Sequence, residues 1–141
     1  MKKNLVTFDE KVRFTAIIMV ALLSISRGGY WLWSGNSATS EQLAYVAPLE
    51  IWGIIFVVGG IFLIISNMFI FSPKNKKFFY LLFVIGTGIL ALSYLVVGMA
   101  SVQNSINWLT PSHNTILFVG FMALFSLGAK ELWKILKSKE V

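Results

Sequence analysis

Four long apolar runs separated by short polar segments dominate this chain. They cover about residues 14–33, 48–71, 78–102 and 112–129. A helix needs roughly 20 apolar residues to cross a hydrocarbon core about 30 Å thick, and each run is of that order. The pattern therefore predicts an all-α integral membrane protein, in which residues 1–141 form a single domain built as a four-transmembrane-helix bundle.

Helix-start signals occur in two of the polar segments. Thr7 with Glu10 makes a capping-box pattern, which predicts a short interfacial helix leading into the first run. Thr39 with Gln42 makes a second such pattern, which predicts a short surface helix before the second run. After the fourth run, residues 130–141 are predicted to form an amphipathic cytoplasmic tail.

Lysine and arginine residues are distributed unevenly among the polar segments. Four precede the first run, three lie in residues 72–77 and four follow the fourth run, whereas the other two loops contain none. Because positively charged segments stay on the inner side of membranes, both termini and residues 72–77 are predicted to be cytoplasmic. The net charge of +6 is not arranged as a basic face, so we expect no nucleic-acid partner.

Composition excludes several kinds of chemistry. The chain has no Cys, which removes disulfides, thiolate metal sites and thiol redox chemistry. His113 is the single His, has no second His or Cys to complete a metal set, and is interpreted as an interfacial residue. The sequence contains no nucleophile–base motif, phosphate-binding loop or metal motif. We therefore expect a protein that is not an enzyme and that carries no cofactor or metal.

Arg27 and Glu50 are the two charged side chains within the runs. A charge in hydrocarbon is costly and marks either a partner or a function. Because the first and second runs follow one another, we predict an intramembrane ion pair between these two side chains. Two alternatives remain open. Arg27 could extend to the outer headgroups while a helix N-terminus stabilises Glu50, or the two could form a substrate, proton or ion site.

Small and polar residues recur at intervals of seven in the second and third runs and predict helix-packing seams. The seam positions are Gly53, Gly60 and Asn67 in the second run, Gly86, Ser93 and Ala100 in the third, and Gly120 in the fourth. Such seams serve either packing within one chain or self-association into a homo-oligomer. Aromatic belts at the membrane boundaries are predicted from Trp31, Trp33, Trp108 and Trp133.

Two features of the sequence, one local and one overall, resemble known kinds of membrane protein. Residues 49–66, LEIWGIIFVVGGIFLIIS, resemble the second span of DoxX-like small four-helix membrane proteins, and Arg27 with its following glycines is similar to their first span. That resemblance implies a non-conducting accessory subunit of a membrane complex. The overall form also resembles small four-span proteins of phages and prophages of Gram-positive bacteria, which implies a holin-like role in a bacterial cytoplasmic membrane.

Two functional hypotheses follow from these observations. In the first, the protein is a homo-oligomer that forms a pore between protomers. The candidate lining residues are Asn67, Thr87, Ser93 and Ser126, together with the Arg27–Glu50 layer if that pair faces the interface between protomers. In the second, the protein is a non-conducting accessory subunit that docks a membrane or cytoplasmic protein partner through its basic cytoplasmic surfaces. Both hypotheses place the chain in the lipid bilayer.

Overall fold

Four long helices make up most of the described chain. The computed structural model describes residues 8–33, 40–104 and 109–138. Its elements are α1 (Phe8–Trp33), α2 (Ser40–Val46), α3 (Leu49–Met68), a 3-10 turn (Pro73–Asn75), α4 (Lys76–Asn104) and α5 (Leu109–Lys137). Helices α1, α3, α4 and α5 are each long and apolar enough to cross a membrane. The prediction of an all-α bundle of four such helices is confirmed.

The helix boundaries refine the predicted spans. α1 begins at Phe8 and runs without a break into the first apolar run, so the lead-in is part of the spanning helix. α5 likewise continues through Lys137, and the predicted tail is therefore the last two turns of a 29-residue helix rather than a separate element. Thr7 and Thr39, the predicted capping residues, lie outside the described residues.

The long helices pack in chain order. α1 packs on α3, α3 on α4 and α4 on α5, so α1 and α5 form the two edges of the bundle. The chain direction alternates, which gives the bundle two distinct ends. We call one the Trp33 end, where α1 ends and α3 and α5 begin. The other is the lysine end, which carries Lys76, Lys77 and Lys130.

Stacked and edge-on aromatic rings connect all four long helices. Trp31 of α1 meets Phe56 of α3 edge-on at a centroid distance of 5.3 Å, and Phe56 meets Tyr94 of α4 at 4.9 Å. Tyr94 in turn stacks on Phe121 of α5 at 5.4 Å. Trp31 is only 3% exposed, so its predicted place in a boundary belt is corrected to a place in the core.

Glycines allow close approach of α1 and α3. A Cβ atom added to Gly28 would lie 2.5 Å from the carbonyl oxygen of Gly53, and one added to Gly60 would lie 2.9 Å from that of Ala21. Both distances are shorter than real Cβ atoms tolerate, so each position requires glycine. The seam predicted for the second run therefore packs against α1, within one chain.

The seam positions of α4 and α5 differ in their surroundings. Gly86 lies against the carbonyl oxygen of Gly59, at 3.1 Å from an added Cβ, and makes the α3–α4 approach close. Ser93 is buried, and Ala100 packs against the core. Gly120 is exposed and an added Cβ there would meet no atom within 4 Å. Gly120 therefore does not pack within the protomer. The other role predicted for the seam, packing between protomers, stays a prediction.

Candidate functional site

Arg27 lies among three aromatic rings near the Trp33 end. Its Cζ atom is 5.3 Å from the ring centroid of Trp31, 5.5 Å from that of Phe56 and 5.0 Å from that of Tyr94. A guanidinium within about 6 Å of a ring centroid is attracted by the negative face of the ring, and the attraction grows where water is excluded. Helices α1, α3 and α4 thus jointly stabilise this cation.

A chain of hydrogen bonds links Arg27 to α5 and α4. Its Nη1 donates to Oδ1 of Asn114 at 2.9 Å. The Asn114 Nδ2 donates to the Ser101 hydroxyl at 3.4 Å, and that hydroxyl donates to the carbonyl oxygen of Gly98 at 2.7 Å. Asn114 and Ser101 are each 1% exposed. A guanidinium only donates, so it fixes the orientation of the buried amide.

The predicted Arg27–Glu50 ion pair is not formed between these described residues. The described chain instead forms exposed ion pairs within single helices, between Arg13 and Asp9 and between Lys134 and Glu131. Glu50 is exposed in the first turn of α3, where the helix dipole favours a carboxylate.

The packing of α1 on α3 explains the separation of the two charges. Gly28 contacts Gly53 and Val57, so Arg27 is level with the second and third turns of α3. At 1.5 Å per residue, that level is roughly 5–10 Å along the axis from Glu50. The predicted ion pair is thus wrong: the structure shows Arg27 bound by an amide and by aromatic rings.

Among the described residues, Arg27 pairs with no carboxylate. The loop residues 34–39 and 105–108 contain no Asp or Glu. The amide of Asn114 accepts a hydrogen bond but carries no compensating charge. Arg27 is thus a net cation in an apolar part of the bundle.

A groove runs between the edge helices α1 and α5 beside Arg27. Its wider part has a volume of about 860 Å³, within the range of roughly 300–1,000 Å³ typical of small-molecule sites. The apolar part of its lining includes Leu23 of α1 and Ile116, Leu117 and Leu124 of α5. Arg27 also lines it, so the groove combines an apolar wall with one cation.

The groove continues toward the lysine end as a narrower part of about 330 Å³. Both parts are lined by Val20 and Leu124, which places them end to end. The narrow part reaches Arg13 and Glu131. Gly120 lines the wide part, where the missing side chain leaves the space open. The exposed position of Gly120 is thereby explained.

The remaining predicted residues take the following positions. His113 is exposed and lines the wide part of the groove. Trp33 is 95% exposed and Trp133 is 61% exposed, whereas Trp108 lies outside the described residues. Asn67 is buried, and its Nδ2 donates to the carbonyl oxygen of Phe14 on α1 at 3.0 Å. Its Oδ1 has no hydrogen-bond partner among the described residues.

Sequence reasoning missed Asn114, the residue that binds Arg27. The available signal was an amide within an apolar run, since such side chains form hydrogen bonds between membrane helices.

The four long apolar helices make this chain a multi-pass membrane protein. Comparison with known protein families, curated proteins and solved structures finds no match to the chain.

Proposed function

We propose that this protein is a non-enzymatic, non-conducting accessory protein of a bacterial cytoplasmic membrane, which binds a hydrophobic partner in the groove between α1 and α5. The observation that carries the proposal is the groove itself, a cavity of about 860 Å³ whose apolar wall carries the uncompensated charge of Arg27. A cation of this kind inside a membrane protein marks a functional site by default. The DoxX-like resemblance of residues 49–66 agrees with an accessory role.

The positions of the polar side chains favour this proposal over a pore between protomers. Asn67, Thr87 and Ser93 are buried inside the protomer. The hydroxyls of Thr87 and Ser93 donate to carbonyl oxygens of their own helix at 2.7 and 2.8 Å. Ser126 is exposed, but its hydroxyl also donates within its own helix, to Met122. A water-filled path between protomers needs polar groups on the outward faces, and of these four candidates only Ser126 lies there. The Arg27–Glu50 pair, the other candidate, is not formed between these described residues.

Ion flux tests the non-conducting proposal. Purified protein reconstituted into liposomes is expected to release no more trapped potassium or dye than empty liposomes do, with a pore-forming peptide as the positive control. The mass of the detergent-solubilised protein then gives its oligomeric state. Flux that rises with protein content and falls in Ser126→Leu would overturn the accessory proposal and restore the homo-oligomeric pore. The matched control variant is Leu127→Ala, which changes a neighbouring exposed side chain.

We further propose that both termini and residues 72–77 face the cytoplasm, because of the lysines at that end. Single cysteines at Ser37, Asn75 and Asn107 report on this, since the chain has no native Cys. An impermeant thiol reagent added outside intact cells is expected to label positions 37 and 107 and to spare position 75. The reverse pattern would reverse the orientation without changing the bundle.

A further inference from the structure

We propose that the occupant of the α1–α5 groove is an anionic phospholipid, whose phosphate binds Arg27 and whose acyl chain lies along the groove. This inference rests on the proposed function, because it names the partner that the groove receives. It draws on three properties of the groove, which are its charge, its depth in the bundle and its taper.

The charge of the groove selects an anion. Arg27 pairs with no carboxylate of the described chain, and its bond to Asn114 uses one of the five N–H donors of the guanidinium. Phosphate oxygens accept two parallel hydrogen bonds from a guanidinium, and such charge-assisted pairs are strong in a dry environment. Ser26, Tyr30 and His113 line the same wide part, so polar groups gather where a headgroup would lie.

The depth of Arg27 matches the inner edge of the headgroup region. Arg27 precedes Trp33 by six residues, which places it about 9 Å below the end of α1. A bilayer about 40–45 Å thick with a core of about 30 Å has headgroup regions of roughly 5–8 Å on each side. The 26-residue helix α1 is about 39 Å long and spans nearly the whole bilayer. A phosphate at the lower edge of the headgroup region is therefore within reach of the long Arg27 side chain.

The taper of the groove suits an acyl chain. The narrow part extends from the level of Val20 to that of Arg13, about 10 Å along α1. Its volume of about 330 Å³ compares with about 860 Å³ for the wide part beside Arg27. A headgroup at Arg27 with a flexible hydrocarbon chain leading away from it matches a wide charged part that continues into a smaller, mainly apolar part.

Lipid retention in native mass spectrometry tests the proposal. The protein is exchanged into detergent containing equal amounts of phosphatidylglycerol and phosphatidylcholine with the same acyl chains. The wild type is expected to retain phosphatidylglycerol preferentially, and Arg27→Gln to lower that preference at least about tenfold, the factor for losing a hydrogen bond to a charged group. The matched control is Arg13→Gln, which removes an exposed charge that also lines the groove but already pairs with Asp9.

A second variant separates loss of the site from loss of the fold. Gly120→Leu places a side chain in the wide part of the groove, and its Cβ meets no atom within 4 Å, so the helices should stay intact while retention of both lipids falls. Equal retention of the two lipids by the wild type, or an unchanged preference in Arg27→Gln, would overturn the proposal. Displacement of the lipid by inorganic phosphate would also overturn the proposal, because it would show that the groove binds an anion but not an acyl chain. A dimer that Gly120→Leu dissociates while lipid retention persists would instead assign the groove to a second copy.

The two experiments fail separately. Conducting liposomes remove the non-conducting accessory function whatever lipid the protein retains. Loss of the lipid preference removes this inference and leaves the accessory function to a different hydrophobic partner.

Discussion

Removal of the Asn114 amide tests whether Arg27 depends on α5. In Asn114→Leu the guanidinium loses its hydrogen bond of 2.9 Å, while its contacts with three aromatic rings remain. Hydrogen bonds between neutral groups of membrane helices contribute about 0.6 kcal/mol on average and up to about 1.7 kcal/mol. A bond to a charged group contributes about 1.5–3 kcal/mol. The bond from Asn114 to Ser101 is long at 3.4 Å and adds little.

We therefore expect Asn114→Leu to lower the free energy of unfolding by about 1.5–2.5 kcal/mol. The measurement is a denaturant titration in bicelles, followed by circular dichroism. A double-mutant cycle with Arg27→Met isolates the pair, because Met keeps an unbranched side chain without the charge. A coupling energy of about 1–2 kcal/mol is expected, because either single substitution already removes the hydrogen bond and the second substitution removes no further bond. The reasoning is refuted if the two changes add within about 0.5 kcal/mol, the usual margin for independent sites.

Three further predictions follow from the packing and the charges. Glu50→Gln and Arg27→Met are expected to change the free energy of unfolding additively in the same titration, because no ion pair joins these two described residues. A coupling energy above about 1 kcal/mol would support the original ion-pair prediction. Gly28→Ala places a Cβ 2.5 Å from an α3 carbonyl oxygen and should lower the free energy of unfolding by about 1–3 kcal/mol. The adjacent Gly29→Ala is the control, because its Cβ meets nothing within 4 Å and the change should be neutral or stabilising. Equal effects of the two variants would contradict the close approach of α1 and α3. Asn67→Leu removes a hydrogen bond worth about 0.6 kcal/mol, but it also removes a buried acceptor that has no partner among the described residues. The free energy of unfolding should therefore rise slightly. A decrease of more than about 1 kcal/mol would point to a bound water at that acceptor.

The sequence predicted the helices well because each spanning run is set by local composition. Length and apolarity alone decide whether a segment can cross the bilayer, and no partner helix needs to be known. The predicted spans accordingly overlap α1, α3, α4 and α5, although the second was predicted to continue to residue 71 and α3 ends at Met68. Their ends shifted where amphipathic segments continue a spanning helix, as the residues after 129 do in α5.

The partners of individual side chains were not predictable in the same way. Opposite charge and closeness in the chain suggested Glu50 for Arg27, but the structure supplies Asn114, which is 87 residues away. The partner of Arg27 depends on how α5 packs beside α1, and local composition carries no information about that packing. Trp31 and Trp33 show the same limit. Both suit a boundary belt, but two residues along a helix correspond to a rotation of about 200°, so the two side chains point in nearly opposite directions.

The chain-order packing has a consequence for insertion of the protein during synthesis. Each long helix packs on the one made before it, so α3 and α4 each find a partner already present in the membrane. The rings around Arg27 come from α1, α3 and α4 and are therefore complete before α5 is made. The amide that binds the guanidinium is on α5 and arrives last. A chain that has inserted only as far as α4 thus surrounds this arginine with aromatic rings alone, and insertion of α5 supplies the acceptor for its hydrogen bond.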